Sequence, residues 1–289
     1  MPKHISKLTI STSLFVLIGA MGAFAEGTGH GSVGDEVIAE QRAVLHEATA
    51  GKGFGPQSPR DLTVVDGANP IDFGDAPDFA AMNLCNIHFH EGAEHRGGEF
   101  TTYAGNGNGH GYGSGFKYDG ELSDAELAPV DYAVGSTEHG TLEPGHTVEI
   151  HYVHSTAEVK PGATLKSCLN EAVGNPQLRV EAFVYVLVND DSAADLNTLN
   201  AVAQTNGKWQ APNMPTDAGA AISYDGSTTG PSYNEAGSPY QVTWNVHPKV
   251  TKVSISSVAK WLAENEFDED HAHGVRNLVN DPALLSKIN

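Results

Sequence analysis

The sequence predicts a mainly β chain, and two observations carry that reading. Five segments rich in aromatic and β-branched residues, Asn83–His90, His146–His154, Leu178–Val188, Pro239–Val246 and Lys252–Ser256, have the length and composition of strands. Helical patterns are few and sit near the two ends of the chain. A length of 289 residues with 39% apolar content is enough for one large domain or two small ones with a real core.

Taken in order, Lys3, His4 and Lys7 precede an uncharged apolar run from Leu14 to Ala25, and Ala23-Phe24-Ala25 before Glu26 has the small-x-small form of a signal peptidase site. Residues 1–25 therefore read as a secretory signal, and the apolar run is too short for a membrane span. Residues 26–50 form an N-terminal extension with a helix-like stretch from Glu36 to Ala48. The turn-forming run Gly51–Pro59 opens the main domain, which extends to 262. Within it glycine takes every second position from Gly105 to Gly115, leaving no side chains to hold a strand pairing; a mobile loop is expected there, with His110 solvated. Ser256–Leu262 has the pattern of a helix begun by a serine cap, and Asp281–Lys287 that of a short last one. Residues 263–289, with the tract Glu264–Asp270 followed by His271 and His273, read as an acidic, solvated tail.

Acidic residues outnumber basic ones by 36 to 16, for a net charge of -20, so electrostatics oppose docking on nucleic-acid phosphates or anionic lipid. No nucleic-acid partner and no stable membrane insertion after signal cleavage are expected, and the protein reads as exported, periplasmic or secreted. In that setting Cys85 and Cys168, the two cysteines, are expected to form one disulfide, worth about 4 kcal/mol in chain entropy. A Cys-His-Cys metal site is the lesser reading, because on a regular strand Cys85 faces away from His88.

Chemistry concentrates in two of the strands. In Asn86-Ile87-His88-Phe89-His90, histidines one residue apart point to the same side, which is metal-ligand spacing. In Glu149-Ile150-His151-Tyr152-Val153-His154, Glu149, His151 and Val153 share one face, and Ile150, Tyr152 and His154 the other. Catalytic zinc takes three protein ligands and keeps a fourth position open, so a third ligand must join His88 and His90; His151 is the first candidate and His95 the spare. Neighbouring carboxylates are able to orient the imidazole N–H groups.

These residues lie within a longer pattern that resembles the carbonic anhydrases of the alpha type and, in detail, the related delta class. Gln57-Ser58-Pro59-Arg60-Asp61 is similar to the Gln-Ser-Pro-x-Asp/Asn segment of that pattern, Asn86-x-His88-x-His90 to its ligand strand, and Gly92-Ala93-Glu94-His95 to the Gly-Ser-Glu-His that follows. Glu149-x-His151-x-Val153-His154 resembles the Glu-x-His-x-Val-His strand of the third ligand. Tyr224-Asp225-Gly226-Ser227-Thr228-Thr229-Gly230-Pro231 resembles Tyr-x-Gly-Ser-Leu-Thr-Thr-Pro, and Val242-Thr243-Trp244 the Val-Thr-Trp beyond it. The shared order of these islands spans about 190 residues. The chain departs from the alpha type in a short Gln57-to-His88 interval without a histidine, in a long His90-to-His151 interval holding the glycine loop, and in Cys85 within the ligand strand. The first departure removes the usual proton-shuttle histidine; His110, His139 or buffer remain for that role.

The resemblance implies a twisted, largely antiparallel central sheet with few peripheral helices. It further implies reversible hydration of carbon dioxide to bicarbonate and a proton by a zinc-bound hydroxide, with His88, His90 and His151 as zinc ligands and cobalt or cadmium as substitutes. Asn86, Glu149, His95 and Tyr224 would support the imidazoles. Thr229, oriented by Glu94, would be the gatekeeper on an ungapped alignment from Tyr224; alignment on the Thr-Thr pair selects Thr228 instead. Val153, Val242 and Trp244 would wall the pocket of this small uncharged substrate. A rival pattern, His88-x-His90-x3-Glu94, fits the core of the cupin motif and would make Glu94 a ligand in an oxygenase or isomerase, although the cupin glycines are missing.

Overall fold

The computed structural model describes residues 31–228 and 234–288, so the signal-peptide reading of 1–25 and residue Thr229 lie outside the described residues. A helix α1 (Asp35–Thr49) leads into the strands β1 (Asn83–Glu91), β2 (Thr102–Tyr103), β3 (Phe116–Lys117), β4 (Thr147–Ser155) and β5 (Leu178–Val188). After these come α2 (Leu196–Leu199), β6 (Ala203–Thr205), β7 (Lys208–Gln210), β8 (Ile222–Ser227), β9 (Gln241–Ser254) and α3 (Ile255–Ala263). Among the described residues no helix is long and apolar enough to cross a membrane.

The central sheet has the order β1-β4-β5-β9-β8. Every neighbouring pair is antiparallel except β5 with β9, as the fold reading requires of a largely antiparallel sheet. β4 and β5 are central and almost wholly buried, so their apolar residues sort by face. Leu84, Ile87, Phe89, Val148, Ile150, Tyr152, Phe183, Tyr185 and Leu187 meet Val258, Trp261 and Leu262 of α3 in one core. Cys85, Val153, Val180, Ala182, Val184, Val242, Trp244 and Val246 form a second core on the opposite face. The site lies on that second face.

Four expectations need correction. The two strands expected at Pro239–Val246 and Lys252–Ser256 are replaced by the single strand β9, with Ile255 and Ser256 in α3; Pro248 lacks an N–H, and β9 passes it by an irregularity where its pairing with β5 shifts between Ala182 and Val184, just beyond the Ile222–Val246 pair at which β8 starts. The helix expected from Ser256 begins at Ile255, and the serine before it does not cap: the Ser254 hydroxyl bonds Asp191. The glycine loop is packed, not free. Gly107 accepts a hydrogen bond from the Val33 N–H, Gly109 from the Gln41 amide and Gly111 from the Val275 N–H. At Gly111, φ is +97° and an added Cβ would lie 2.3 Å from the Val275 carbonyl oxygen, so glycine is needed there for the close approach.

The fourth correction concerns the C-terminal segment, which is not a solvated tail. Phe267, Ala272, Val275, Val279, Leu284 and Leu285 are buried, the last three together with Leu45 of α1. The guanidinium of buried Arg276 donates to the Ser58 and Ala236 carbonyls. The expected last helix is a single 3-10 turn, Pro282–Leu284, capped by Asp281. The disulfide Cys85–Cys168 is formed and closes a span of 83 residues.

His154 points away from the site, as the alternation of β4 requires, and is fully buried beside Phe79. Its Nδ1–H donates to the Tyr152 carbonyl, while Nε2 is buried without a partner, and burial pushes the ring down to about 3. The unfolded chain takes up this proton near pH 6.5 and the folded one only near 3, so the folded state is penalised as pH falls through that window. The penalty grows by up to about 1.4 kcal/mol per pH unit. In urea unfolding from pH 7 to pH 4, His154→Phe is expected to show a shallower loss of stability than the parent; equal slopes would remove His154 as the source.

Candidate metal centre

β1 and β4 pair antiparallel in a register that sets His88 opposite His151 and His90 opposite Glu149. With side chains alternating along each strand, this single register collects His88, His90, Glu149 and His151 on one face. Between Leu84 and Asn86 the pairing is interrupted by a bulge at Cys85. The bulge reverses the alternation: Leu84 joins Ile87 and Phe89 in one core, and Cys85 joins the core on the site's side. The expectation that Cys85 faces away from His88 thus fails, because it assumed a regular strand. Its sulfur is held by Cys168.

Ligand-type nitrogens of His88, His90 and His151 lie within 4.8 Å of one another. Each ring has its other nitrogen engaged. His88 Nδ1–H donates to Asn86 Oδ1 at 2.6 Å, His90 Nδ1–H to the Gly274 carbonyl at 2.9 Å, and His151 Nε2–H to Glu149 Oε1 at 2.9 Å. The inward atoms are therefore Nε2 of His88, Nε2 of His90 and Nδ1 of His151. His90 Nε2 is buried with no hydrogen-bond partner, a state that a metal ion would relieve. His88 Nε2 and His151 Nδ1 stand 3.3 Å apart. Two nitrogens bound tetrahedrally at about 2.0–2.1 Å have about that separation, so the donor set fits a tetrahedral divalent ion.

Burial, reinforced by the neighbouring imidazoles, holds His88 well below the usual histidine range; burial brings His90 down to about 4. Both rings are neutral at pH 7, the form that coordinates a metal. Glu149 is fully buried, and burial alone would raise it. The His95 and His151 imidazoles outweigh that and hold it well below the carboxylate range. Glu149 Oε1 accepts from His95 Nδ1 at 2.6 Å as well as from His151, and Oε2 accepts the His95 backbone N–H. His95 Nε2 meets the Tyr224 hydroxyl at 2.7 Å, which in turn meets Ser58 Oγ at 3.0 Å. His95, the spare ligand candidate, is thereby committed to orienting Glu149 and does not join the three inward nitrogens.

Trp244 packs edge-on against the His151 ring with centroids 4.9 Å apart, and Val153 and Val242 are buried in the same cluster. The Gln57–Asp61 island works as a clamp. Gln57 Oε1 accepts from Ser227 Oγ and the Ser238 N–H, and Ser58 Oγ accepts the Ser227 N–H. Arg60 donates to the Ser286 carbonyl at 2.6 Å, and Asp61 pairs with Arg96. Glu94 is buried; its Oε1 accepts the Arg276 N–H at 2.9 Å and lies 3.5 Å from His90 Nδ1, the outward nitrogen of that ring. The Thr228 and Ser238 hydroxyls share a hydrogen bond at 2.6 Å, and among the described residues Thr228 makes none with Glu94.

The C-terminal segment brings three contributors: the Gly274 carbonyl and the Arg276 N–H, absent from the sequence reading, and the His273 ring, which that reading placed in a solvated tail. His273 lies with its centroid 6.1 Å from that of His88 and 6.0 Å from that of His90, and its Nε2 meets Glu269 at 2.9 Å. Of the proposed shuttle residues, His139 stacks on Tyr112 and His110 is exposed. The apolar spacing of Val275, Leu278 and Val279 after the acidic tract was the available sign that this segment returns to the core.

The delta carbonic anhydrase family model matches residues 79–257, well over half of the chain, and the protein belongs to that family. It is a carbonic anhydrase by descent, and the cupin alternative drops out. No curated protein matches the chain. Solved structures it is similar to include the Photobacterium profundum alpha-carbonic anhydrase, at 17% identity over 80% of this chain and 88% of that one with a TM-score of 0.27. A fungal alpha carbonic anhydrase from Aspergillus oryzae matches at 14% identity over 85% and 88% with a TM-score of 0.30, and a halotolerant carbonic anhydrase from Dunaliella salina at 16% over 79% and 86%, also with 0.30. At such scores these neighbours carry no weight of their own; the assignment rests on the family match.

Proposed function

We propose that this enzyme interconverts carbon dioxide and bicarbonate at a zinc ion held by His88, His90 and His151, and that it works outside the cytoplasm. The observation that carries the reading is the convergence of three inward nitrogens whose rings are each fixed from behind by a different partner. A zinc ion so bound lowers the pKa of coordinated water to about 7 and supplies hydroxide at neutral pH. The chain's own part is to keep His88 and His90 neutral and to fix the tautomers of all three donors. Asn86, Gly274 and Glu149 fix the tautomers; Trp244, Val153 and Val242 form an apolar wall suited to a small uncharged substrate. The disulfide supports an oxidising, exported setting.

Glu94, held by the Arg276 N–H, is the carboxylate available to orient a gatekeeper hydroxyl. Because the Thr228 hydroxyl is already bonded to Ser238, we assign that role to Thr229. Thr229→Ala is expected to keep its metal and lose turnover about 100-fold, in the range of a lost general acid–base or orienting contact; Thr228→Ala is expected to stay within a few-fold of the parent. The reverse order would exchange the two threonines.

Elemental analysis combined with stopped-flow carbon dioxide hydration, before and after chelation, tests the whole reading. One zinc per chain and chelator-sensitive hydration are expected. His151→Ala should lose stoichiometric metal, whereas His95→Ala should retain it with affinity lowered about 10–100-fold through Glu149. Metal retained in His151→Ala and lost in His95→Ala would overturn the ligand assignment.

A further inference from the structure

We propose that the loop 162–168, fixed to β1 by the Cys85–Cys168 disulfide, is a positioning device for His88, acting through Asn86. The proposal rests on the metal-centre reading above.

At the β1 bulge the Cys85 carbonyl leaves the ladder with β4. The loop satisfies it instead: the Gly162 N–H donates to it at 3.1 Å, and the Ser167 hydroxyl lies 2.6 Å from it and 2.7 Å from the Thr164 carbonyl, bridging strand and loop. Gly162 then returns a contact to the next residue of the strand, its carbonyl accepting from Asn86 Nδ2 at 3.1 Å. The other end of that amide, Oδ1, accepts from His88 Nδ1 at 2.6 Å.

An asparagine amide has a donor end and an acceptor end, and rotating it by half a turn exchanges them. The Gly162 carbonyl accepts only a donor, so it fixes Nδ2 toward the loop and Oδ1 toward His88. Oδ1 in turn accepts only an N–H, so His88 carries its proton on Nδ1 and keeps the Nε2 lone pair for the centre. Without the Gly162 carbonyl nothing in the loop favours this orientation, and the rotated amide would present N–H to His88 and select the tautomer that cannot coordinate through Nε2.

The loop needs an anchor to serve this way. Residues 161–167 are partly or fully exposed, Thr164 holds a positive φ of 59°, and the 3-10 turn Leu165–Cys168 is the loop's single piece of regular structure. Cys168 is its buried end; its carbonyl accepts from the Ser155 hydroxyl of β4 and its sulfur is bonded to Cys85. The covalent tie therefore joins the loop to the strand one residue before Asn86 and three before His88. Both cysteines are fully buried, so the bridge acts as a fixed brace and not as a surface redox sensor.

The test is the rate at which Zn2+ passes from the loaded protein to excess EDTA, in the parent, Asn86→Ala, the paired Cys85→Ala/Cys168→Ala variant and all three changes together. Asn86→Ala and the cysteine pair are each expected to speed release about 10–100-fold, and the triple variant is expected to be no more than about twofold faster than either, because both act on one contact. Ser167→Ala, which leaves the disulfide and the core in place, covers the case in which the cysteine pair fails to fold. It is expected to speed release severalfold in the parent and not at all in Asn86→Ala. Release at the parent rate in the cysteine pair, or in Ser167→Ala, or effects that multiply with Asn86→Ala, would overturn the positioning role while leaving the metal centre standing. A parent protein that takes up no Zn2+ would overturn the metal centre itself, and the positioning role with it.

Discussion

Everything at the centre depends on one pairing: β1 against β4 in the register that puts His88 opposite His151. A slip of β1 by one residue would turn His88 and His90 toward the core of Ile150 and Tyr152, bring Ile87 and Phe89 to the face of the site, and leave His151 there without them. The register is held from both sides. On one face the aromatic and aliphatic residues are buried under α3, and on the other the buried Glu149 carboxylate needs two imidazoles to offset its burial. The chemistry and the packing therefore select the same alignment of strands.

Glu149 shows how far that coupling reaches. It is bonded to His151 of its own strand and to His95 beyond the end of β1, and His95 continues to Tyr224 of β8 and to Ser58 of the clamp. The path links the inner strand β4 to the edge strand β8 through the segment that follows β1. Removal of any member leaves a buried polar atom without a partner, at about 1–3 kcal/mol for a neutral group and more for a charged one. The Gln57–Asp61 island and the Tyr224–Ser227 segment, which contribute none of the three inward nitrogens, are thus tied to the ligand geometry by hydrogen bonds.

The parts legible in the sequence were those that a periodic strand states directly. The pair His88 and His90, and the set Glu149, His151 and Val153, follow from alternation, and the family pattern added Asn86, Glu94 and Trp244. The bulge at Cys85 was illegible, since a strand's local composition does not say where its partner skips a residue; with it went the side of the sheet on which Cys85 lies. The C-terminal contributions were hidden for a different reason. Gly274 acts through its carbonyl and Arg276 through its N–H, groups that every such position carries, so no side-chain signature marks them. The acidic tract before them reads as solvated because most of its charges are, while Phe267, Ala272 and Val275 carry the return to the core.

Charge placement gives the ligand set its chemical meaning. The three inward donors are imidazole nitrogens, and the two nearby carboxylates sit behind them: Glu149 accepts from the outward nitrogen of His151, and Glu94 is engaged by the Arg276 N–H beside the outward nitrogen of His90. A carboxylate in the inner set would cancel half of a divalent charge where the charge acts on water; a carboxylate behind an imidazole makes the ring a better donor while leaving that charge largely uncompensated. On the proposed reading this distinction separates a centre that acidifies water from one that merely stores metal. It also accounts for the cost borne by the fold in burying Glu94 and Glu149: Glu149 is engaged by His95 and His151, and Glu94 by the Arg276 N–H, both on the outward side of the rings.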